Sequence, residues 1–221
     1  TNKPKIGKPW SIGNPHKAWN WALTSEQTWD QPLDYGFGWY WWGLNKFSRY
    51  DAVVYALKNW NKNVPGSWYF NKKRGDCTNF VSWCLYHGGW PMRGPQYGKK
   101  YEWYMYGNPW PYSKSWTSVK EFGDFVHHRG YKIYLGRDPN TVKSRISWLI
   151  SQGKIQIGDV IQRLPNQNRP GHTMIITKIS GNTVKLTYHS PHTINQPINE
   201  FLDRHHKLCL LYTSPSPRDR G

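Results

Sequence analysis

Apolar residues recur at helical spacing in the first two thirds of the chain and give way to β-branched runs in the last third. This periodicity predicts helices at residues 50–63, within 74–89, at 117–129 and at 139–151. Strand-like runs follow between residues 158 and 189, at 198–202 and at 208–212, the last as an edge strand. Helices followed by an antiparallel sheet predict an α+β domain.

The helix expected within residues 74–89 carries a cysteine in its first turn. Asp76 is a good N-cap residue, and the Gly88-Gly89 pair is a stop signal. The unpaired N–H groups and the dipole of a helix N-terminus lower the pKa of a thiol and can hold an oxyanion. Cys77 is therefore a candidate nucleophile for acyl transfer. The alternative is that it is a small buried apolar residue.

Two histidines mark the outer ends of a predicted hairpin. One strand begins at His172, the chain turns at Ser180-Gly181-Asn182, and the second strand ends at His189. Folding about this turn places His189 within about one pair of His172, so a base and its orienting partner could lie at one sheet edge. Taken alone, each histidine is better interpreted as a solvated strand end.

The run Gly-Asp-Cys-Thr-Asn-Phe-Val-Ser-Trp-Cys-Leu at 75–85 resembles the helix motif of the putative amidase domain family, which belongs to the papain-like NlpC/P60 and CHAP group of cell-wall cysteine hydrolases. Further matches follow in the family's order at Tyr50-Asp51-Ala52-Val53, Lys114-Ser115-Trp116, 157–161, Gly171-His172 and 195–198. The resemblance covers roughly residues 48–203. It implies a papain-like, NlpC/P60-type fold in which the nucleophile helix packs on a small antiparallel sheet.

Carried onto this sequence, the resemblance implies Cys77 as the nucleophile, His172 as the general base and His189 as the third polar residue. The sequence departs from the family in having a second His-Thr pair three residues after His189. His192 is therefore an alternative third residue, and Asn195 is a more distant one.

Further polar and aromatic residues complete the candidate site. Asp76 and Asn79 flank the nucleophile, and we expect the first to cap the helix and the second to pack or to hydrogen-bond the substrate. The segment 90–116 is rich in Pro, Gly and Tyr without a regular pattern, and long loops in compact domains are more often functional than not. The candidate walls of a substrate cleft along it are Trp103, Trp110 and Trp116.

Composition indicates a polyanionic partner. The 221 residues contain 30 Lys and Arg against 13 Asp and Glu, a net charge of +17. The basic residues form no run of five or more and no nucleic-acid-binding signature is present, and an anionic cell wall would suit the same charge. The resemblance to the amidase family implies the cell wall and not nucleic acid. The 15 Trp and 15 Tyr residues suit stacking on sugar rings as well as core packing.

The two ends of the chain differ in character from its middle. We expect an aromatic, Gly- and Pro-rich N-terminal extension at 1–48, the amidase domain at 49–208, and a tail at 209–221 that resembles translated adapter sequence and is non-native or disordered. The chain begins with Thr and shows no signal peptide, as expected of a processed secreted protein or of a piece of a longer one. No apolar run is long enough to cross a membrane.

Three cysteines allow at most one disulfide. Cys77 and Cys84 lie two turns apart on one helix, too far for a disulfide, whereas a bridge between Cys84 and Cys209 is possible. The histidines and cysteines lack the paired spacing of zinc sites, so we expect no metal and no other cofactor.

The resemblance, the charge and the aromatic content together predict a secreted or cell-wall-associated, monomeric cysteine hydrolase. Its reaction would be hydrolysis of amide bonds in bacterial peptidoglycan, as an N-acetylmuramoyl-L-alanine amidase or a peptidoglycan endopeptidase. One alternative on the same fold is a secreted toxin-like deamidase or transamidase that acts on glutamine side chains. Another is a non-catalytic, basic, aromatic-rich module that binds cell walls or nucleic acid, in which Cys77 is structural.

Overall fold

The computed structural model describes residues 47–73, 75–128, 132–165, 171–202 and 207–213. Nearly all of the predicted N-terminal extension and the last part of the predicted tail lie outside these ranges. Within them the chain forms an α+β domain of six helices and one six-stranded sheet. None of the helices in the described ranges is long and apolar enough to span a membrane.

The helices precede most of the sheet, as the periodicity predicts. Their bounds are α1 Arg49–Asn59, α2 Ser67–Asn71, α3 Cys77–His87, α4 Lys114–Thr117, α5 Val119–His127 and α6 Pro139–Ser151. Asp138 caps α6 by accepting a hydrogen bond from the Thr141 N–H at 2.8 Å. Helix α1 ends four residues before its predicted end, because the asparagines at 59, 61 and 63 favour turns over helix.

The sheet is antiparallel throughout, with strand order β1-β6-β2-β3-β4-β5. The strand bounds are β1 Lys132–Gly136, β2 Val160–Arg163, β3 His172–Ser180, β4 Thr183–Tyr188, β5 Thr193–Pro197 and β6 Leu208–Leu211. The strand predicted at 198–202 is wrong, since β5 ends at Pro197 and a 3-10 turn follows at Ile198–Glu200. Pro197 has no N–H to continue the ladder, and the buried Ile198 anchors the turn in the core.

Strand β6 lies inside the sheet and not at its edge, contrary to the prediction for 208–212. Leu210 pairs with Ile133 of β1 on one side and with Ile161 of β2 on the other. The edge position belongs to β1, a strand that the sequence pattern does not predict. Thr213, after β6, also donates its backbone N–H to Asp159. The fold therefore extends past the boundary predicted at residue 208, and the first residues of the supposed tail are part of the sheet.

Each face of the sheet has its own apolar core. One core joins α1, α3 and α5 to the face that carries Val160 and Ile175. The other joins α6 to the face that carries Ile161, Met174 and Ile176. Neighbouring residues of a strand point to opposite faces of the sheet. The apolar residues of the two cores therefore show whether a polar residue of β3 or β4 points toward α3 or toward α6.

The Gly158-Asp159 pair, part of the motif matched to the family, ties α1 to the sheet. Asp159 is fully buried and lies 2.5 Å from the Arg49 guanidinium, which also donates to the Ile157 carbonyl. Gly158 has a φ of 82° and packs directly on Arg49, so a side chain at this position would be strained as well as crowded. The motif therefore serves the fold and not the candidate active site.

The three cysteines are all buried and free. The disulfide considered between Cys84 and Cys209 is therefore not formed. Burial limits the access of solvent and reagents to all three thiols.

Candidate active site

Cys77 lies where the N-terminus of α3 meets the start of β3. It is the first residue of the helix and is buried. Its Sγ is 3.9 Å from Thr78 Oγ1, which in turn lies 2.9 Å from Thr173 Oγ1. Thr173 directly follows His172 in β3. The fold thus brings the predicted nucleophile next to the strand end that carries the predicted base.

The Cys77 thiol is not activated by its surroundings in the resting state. Burial raises the pKa of the thiol, and the negative charge of Asp76 raises it further. Hydrogen bonds from Thr173 and Thr78 lower the pKa but do not outweigh burial. The prediction that the helix N-terminus would hold the pKa below its ordinary value is therefore wrong, and a reaction of this thiol requires a base.

Asp76 occupies the N-cap position of α3 but does not cap the helix with its side chain. Its buried carboxylate instead accepts hydrogen bonds from His189 Nδ1 at 2.9 Å, from the Ser190 hydroxyl at 3.1 Å and from the Ser67 hydroxyl. Burial raises the pKa of Asp76, but the hydrogen bond and charge of His189 together with the two hydroxyls outweigh it. The pKa lies below its ordinary value, so the carboxylate is ionised at neutral pH.

His189 is held by partners on both ring nitrogens. Its Nδ1 contacts Asp76, its Nε2 lies 3.1 Å from the carbonyl oxygen of Asn59, and its ring stacks on Phe80 with centroids 3.9 Å apart. A carbonyl and an ionised carboxylate only accept hydrogen bonds, so each contact calls for a ring N–H donor. Both nitrogens are therefore engaged, and His189 braces Asp76 instead of orienting His172.

His172 begins β3 and is enclosed by aromatic rings. Its imidazole packs edge-on against Tyr188, with centroids 4.7 Å apart, and stacks on Phe201 at 5.8 Å. Its Nε2 is buried and has no hydrogen-bond partner within the described part of the chain. Burial and the charge of Arg163, its partner on β2, lower the pKa of His172 to about 4, against an opposing effect of Asp76. His172 is therefore neutral at pH 7, and its Nε2 makes no hydrogen bond within the described structure.

The two histidines point to opposite faces of the sheet. The register that pairs Ile175 with Thr187, continued to the strand end, puts His172 opposite residue 190 and one residue from His189. The predicted offset of about one pair matches this register. One residue is enough, however, to turn His189 toward α3 while His172 points to the face of α6. This geometry does not bring the predicted base and third residue together.

The alternative third residues lie in different places. His192 is exposed, and its ring is 4.3 Å from that of His189. Burial and the charge of His189 lower the pKa of His192, against an opposing effect of Asp76. Asn195 accepts a hydrogen bond from the Thr177 hydroxyl at 2.8 Å. Thr177 is five residues along β3 from His172, roughly 16 Å at the usual rise, so Asn195 lies away from the candidate site.

Asn79 and two of the predicted cleft tryptophans belong to the core. Asn79 is fully buried, donates to the Pro65 carbonyl at 2.9 Å and accepts from Trp116 Nε1 at 3.0 Å, so both ends of its amide are used internally. Trp103 and Trp116 are fully buried with centroids 4.4 Å apart. Of the two roles expected for Asn79, packing is the one observed, whereas Trp103 and Trp116 do not form cleft walls, because the aromatic loop folds inward. Trp110 is 56% exposed.

A buried polar chain behind the nucleophile was missed by sequence reasoning. Thr78 Oγ1 lies 2.9 Å from Thr173 Oγ1, which accepts a hydrogen bond from Gln162 Nε2 at 3.1 Å. Gln162 also donates to the Val119 carbonyl at 2.8 Å, and its Oε1 has no partner among the described residues. The available signal was a glutamine inside the short apolar strand Val-Ile-Gln-Arg. The chain couples Cys77 to β2 and α5.

Comparison with known proteins identifies the family of this chain. A family profile described as "Putative amidase domain" matches residues 46–212. The chain is 36% identical over 141 residues to "Uncharacterized protein YhbB" of Bacillus subtilis (strain 168), covering 62% of this chain and 39% of that protein. It is 28% identical over 160 residues to "Uncharacterized protein YjcM" of the same organism, covering 68% and 32%.

The chain therefore spans between about a third and two fifths of the length of these relatives. No solved structure matches it significantly. The profile covers most of the chain, including α3, β3 and β4. The chain belongs to the family described as "Putative amidase domain".

Proposed function

We propose that this domain is a cysteine-dependent amide hydrolase with Cys77 as its nucleophile. The observation that carries the proposal is that Cys77 lies at a helix N-terminus that contacts the start of β3. The hydroxyl of Thr78, the next residue, is 2.9 Å from that of Thr173, which directly follows His172. His172 is neutral and has an unpartnered Nε2 in the described structure. A thiol at a site able to hold an oxyanion, with a neutral base at the start of the adjoining strand, supplies groups that acyl transfer through sulfur requires.

In the proposed reaction, His172 takes the thiol proton as sulfur attacks the amide carbon. The N–H of Cys77 donates to the oxygen that becomes negative. Collapse of the intermediate breaks the C–N bond, the leaving amine takes the proton back from the imidazolium, and water then hydrolyses the thioester. The transfer requires the His172 ring to turn from Tyr188 and Phe201 toward Cys77 at the sheet edge, where β3 begins.

Asp76 and His189 act in this scheme as positioning residues. Their buried pair holds the first turn of α3 against Asn59 at the end of α1 and against Ser190. The Asp76 charge raises the pKa of both Cys77 and His172. This charge therefore disfavours a thiolate at Cys77 in the resting state and stabilises the His172 imidazolium that forms during attack. Both effects fit general-base catalysis that starts from a neutral thiol and a neutral imidazole.

We place the reaction on peptidoglycan or a related anionic wall polymer, with the protein secreted or associated with the cell wall. Two features support this choice. The net charge of +17 suits a polyanionic substrate, and a nucleophile helix packed on an antiparallel sheet is what a papain-like, NlpC/P60-type wall hydrolase would require. The bond to be cut is then the glycan-to-alanine amide or an amide within the stem peptide.

The test compares clearing of purified Gram-positive cell walls by the parent, Cys77→Ala and Cys84→Ala, with an assay of new amino groups in the soluble fraction. Cys84 is a matched control, since it is a buried cysteine two turns further along the same helix. We expect the parent and Cys84→Ala to clear walls and Cys77→Ala to be inactive. Wall clearing that survives in Cys77→Ala, or release of ammonia without new amino termini, would contradict the proposal.

A further inference from the structure

We propose that an exposed aromatic surface beside the candidate active site binds sugar rings of a glycan strand. The surface, called here the aromatic platform, consists of Trp68, Tyr69, Trp110 and Tyr112. The inference rests on the proposed function and deepens it, because it names the part of the substrate that lies next to the scissile amide.

The platform is built from two chain segments that are held together before any ligand arrives. Asn108 Oδ1 accepts hydrogen bonds from the Gly66 N–H at 2.7 Å and from Trp68 Nε1 at 3.4 Å. This side chain fastens the loop that carries Trp110 to the start of α2. The ring of Trp110 in turn lies 6.2 Å from that of Tyr69. A preformed surface binds without first having to order its own side chains.

The platform rings pack on a buried phenylalanine on one side, and the two tryptophans are exposed to solvent. The ring centroid of buried Phe70 lies 5.3 Å from that of Tyr69 and 5.0 Å from that of Tyr112. The ring centroids of Tyr112 and Trp110 are 4.5 Å apart. Trp68 is 52% exposed and Trp110 is 56% exposed. Exposed large rings that are grouped and braced in this way are typical of an interaction surface, whereas single exposed apolar residues are ordinary.

A side-chain hydrogen bond joins the segment that carries Trp68 and Tyr69 to the start of the nucleophile helix. Ser67, which directly precedes Trp68, donates its hydroxyl to Asp76, the neighbour of Cys77. We therefore expect a polymer that lies across the platform to extend toward the end of α3 that carries the thiol. The Lys73 amine lies 5.3 Å from the centre of the Tyr69 ring and offers a positive charge to acidic substituents of such a polymer.

A glycan fits this surface better than nucleic acid does. Both ligands stack on aromatic rings, through the C–H face of a pyranose or through a base. Only the wall glycan also carries acyl amides of the kind that the proposed nucleophile attacks. Nucleic acid has no such amide in its backbone, so its presence beside Cys77 would serve no reaction at that site.

The test measures binding to wall glycan strands from which the stem peptides have been removed, so that no stem amide is left to cut. The variants are Trp68→Ala and Trp110→Ala, with Trp148→Ala as control. Trp148 is also 56% exposed and has a lysine amine, that of Lys154, 5.8 Å from its ring, but it lies on α6. We expect each platform variant to bind roughly fivefold to tenfold more weakly and the control to bind as the parent does.

The outcomes separate this proposal from the proposed function. Cys77→Ala should bind the stripped glycan like the parent, whether or not the parent hydrolyses walls, and Trp110→Phe should recover part of the binding because it retains a ring. Unchanged glycan binding in both platform variants overturns the proposal. Equal weakening in Trp148→Ala, or a loss that affects only binding of a single-stranded oligonucleotide, overturns it as well.

Discussion

His189 Nδ1 lies 2.9 Å from Asp76 Oδ2, and both side chains are fully buried. The two residues are 113 positions apart in the chain, and their pair joins the start of the candidate nucleophile helix to the end of β4. The carboxylate that sequence reasoning assigns to helix capping is therefore turned inward. Its charge acts on Cys77, His172 and His192 alike.

We expect Asp76→Asn to lower the free energy of unfolding by about 3 kcal/mol, because the amide cannot accept all the hydrogen bonds that His189, Ser190 and Ser67 make to the buried carboxylate. Urea denaturation at pH 7 measures this difference. The control is Asp124→Asn, which breaks the pair with Lys120 on the surface of α5, where both side chains are largely exposed and little change is expected. An equal effect of the two substitutions would contradict the importance of the buried pair.

Stability is expected to fall as the pH is lowered from about 6.5 toward 4. The pKa of His172 is lowered to about 4 in the folded state, so the unfolded chain binds its proton first and stability is lost through this window. The pKa of Asp76 is also lowered, so its contribution is present above its unfolded pKa and is lost as the pH falls through the folded one.

Urea denaturation at pH 7.5 and pH 4.5 separates the two contributions. We expect His172→Gln to lose about 2 kcal/mol less than the parent over this interval, because Gln does not titrate. If the parent and His172→Gln lose the same amount, His172 is not held neutral by the fold.

Cys77 should react slowly with iodoacetamide at neutral pH. Burial raises the pKa of its thiol, and the thiolate is the reactive form. The alkylation rate, followed on the Cys77 peptide by mass spectrometry, is expected to climb steadily with pH up to 9 and beyond. A rate that is already constant between pH 6 and 8 would indicate a resting thiolate and imidazolium, contrary to this structure.

Thr173→Val should cost about 1 to 2 kcal/mol of stability, because it removes the hydroxyl that joins Thr78 to Gln162 and leaves each of these buried side chains with one hydrogen bond fewer. Thr183→Val is the matched control, since Thr183 Oγ1 is buried with no hydrogen-bond partner in the described structure. We expect this control to be neutral or stabilising. Chemical denaturation of both variants distinguishes a working polar chain from a general cost of replacing threonine.

Local signals were sufficient for the parts of the fold that depend on neighbouring residues. Asp138 and Pro139 define the start of α6, and the Gly181-Asn182 turn defines the β3–β4 hairpin. The α+β class and the helix that begins at Cys77 follow from the same kind of pattern. These features require no knowledge of which distant segment packs where.

Long-range partners account for what could not be predicted. Whether Asp76 binds its own helix or a distant histidine depends on packing between α3 and β4, and spacing carries no information about it. The burial of Trp103 likewise depends on how the loop folds over α3, where its indole N–H reaches Ser82. The sequence pattern predicts an edge position for β6 because the residues around it carry no information about its pairing with the distant strands β1 and β2.

The most direct test of the central claim is detection of an acyl group on Cys77. The parent is mixed with soluble peptidoglycan fragments, quenched in acid within one turnover and digested, and its peptides are analysed by mass spectrometry. We predict a hydroxylamine-sensitive adduct on the Cys77 peptide that is absent from Cys77→Ala. Amide hydrolysis without any adduct, undiminished in Cys77→Ala, would contradict the account.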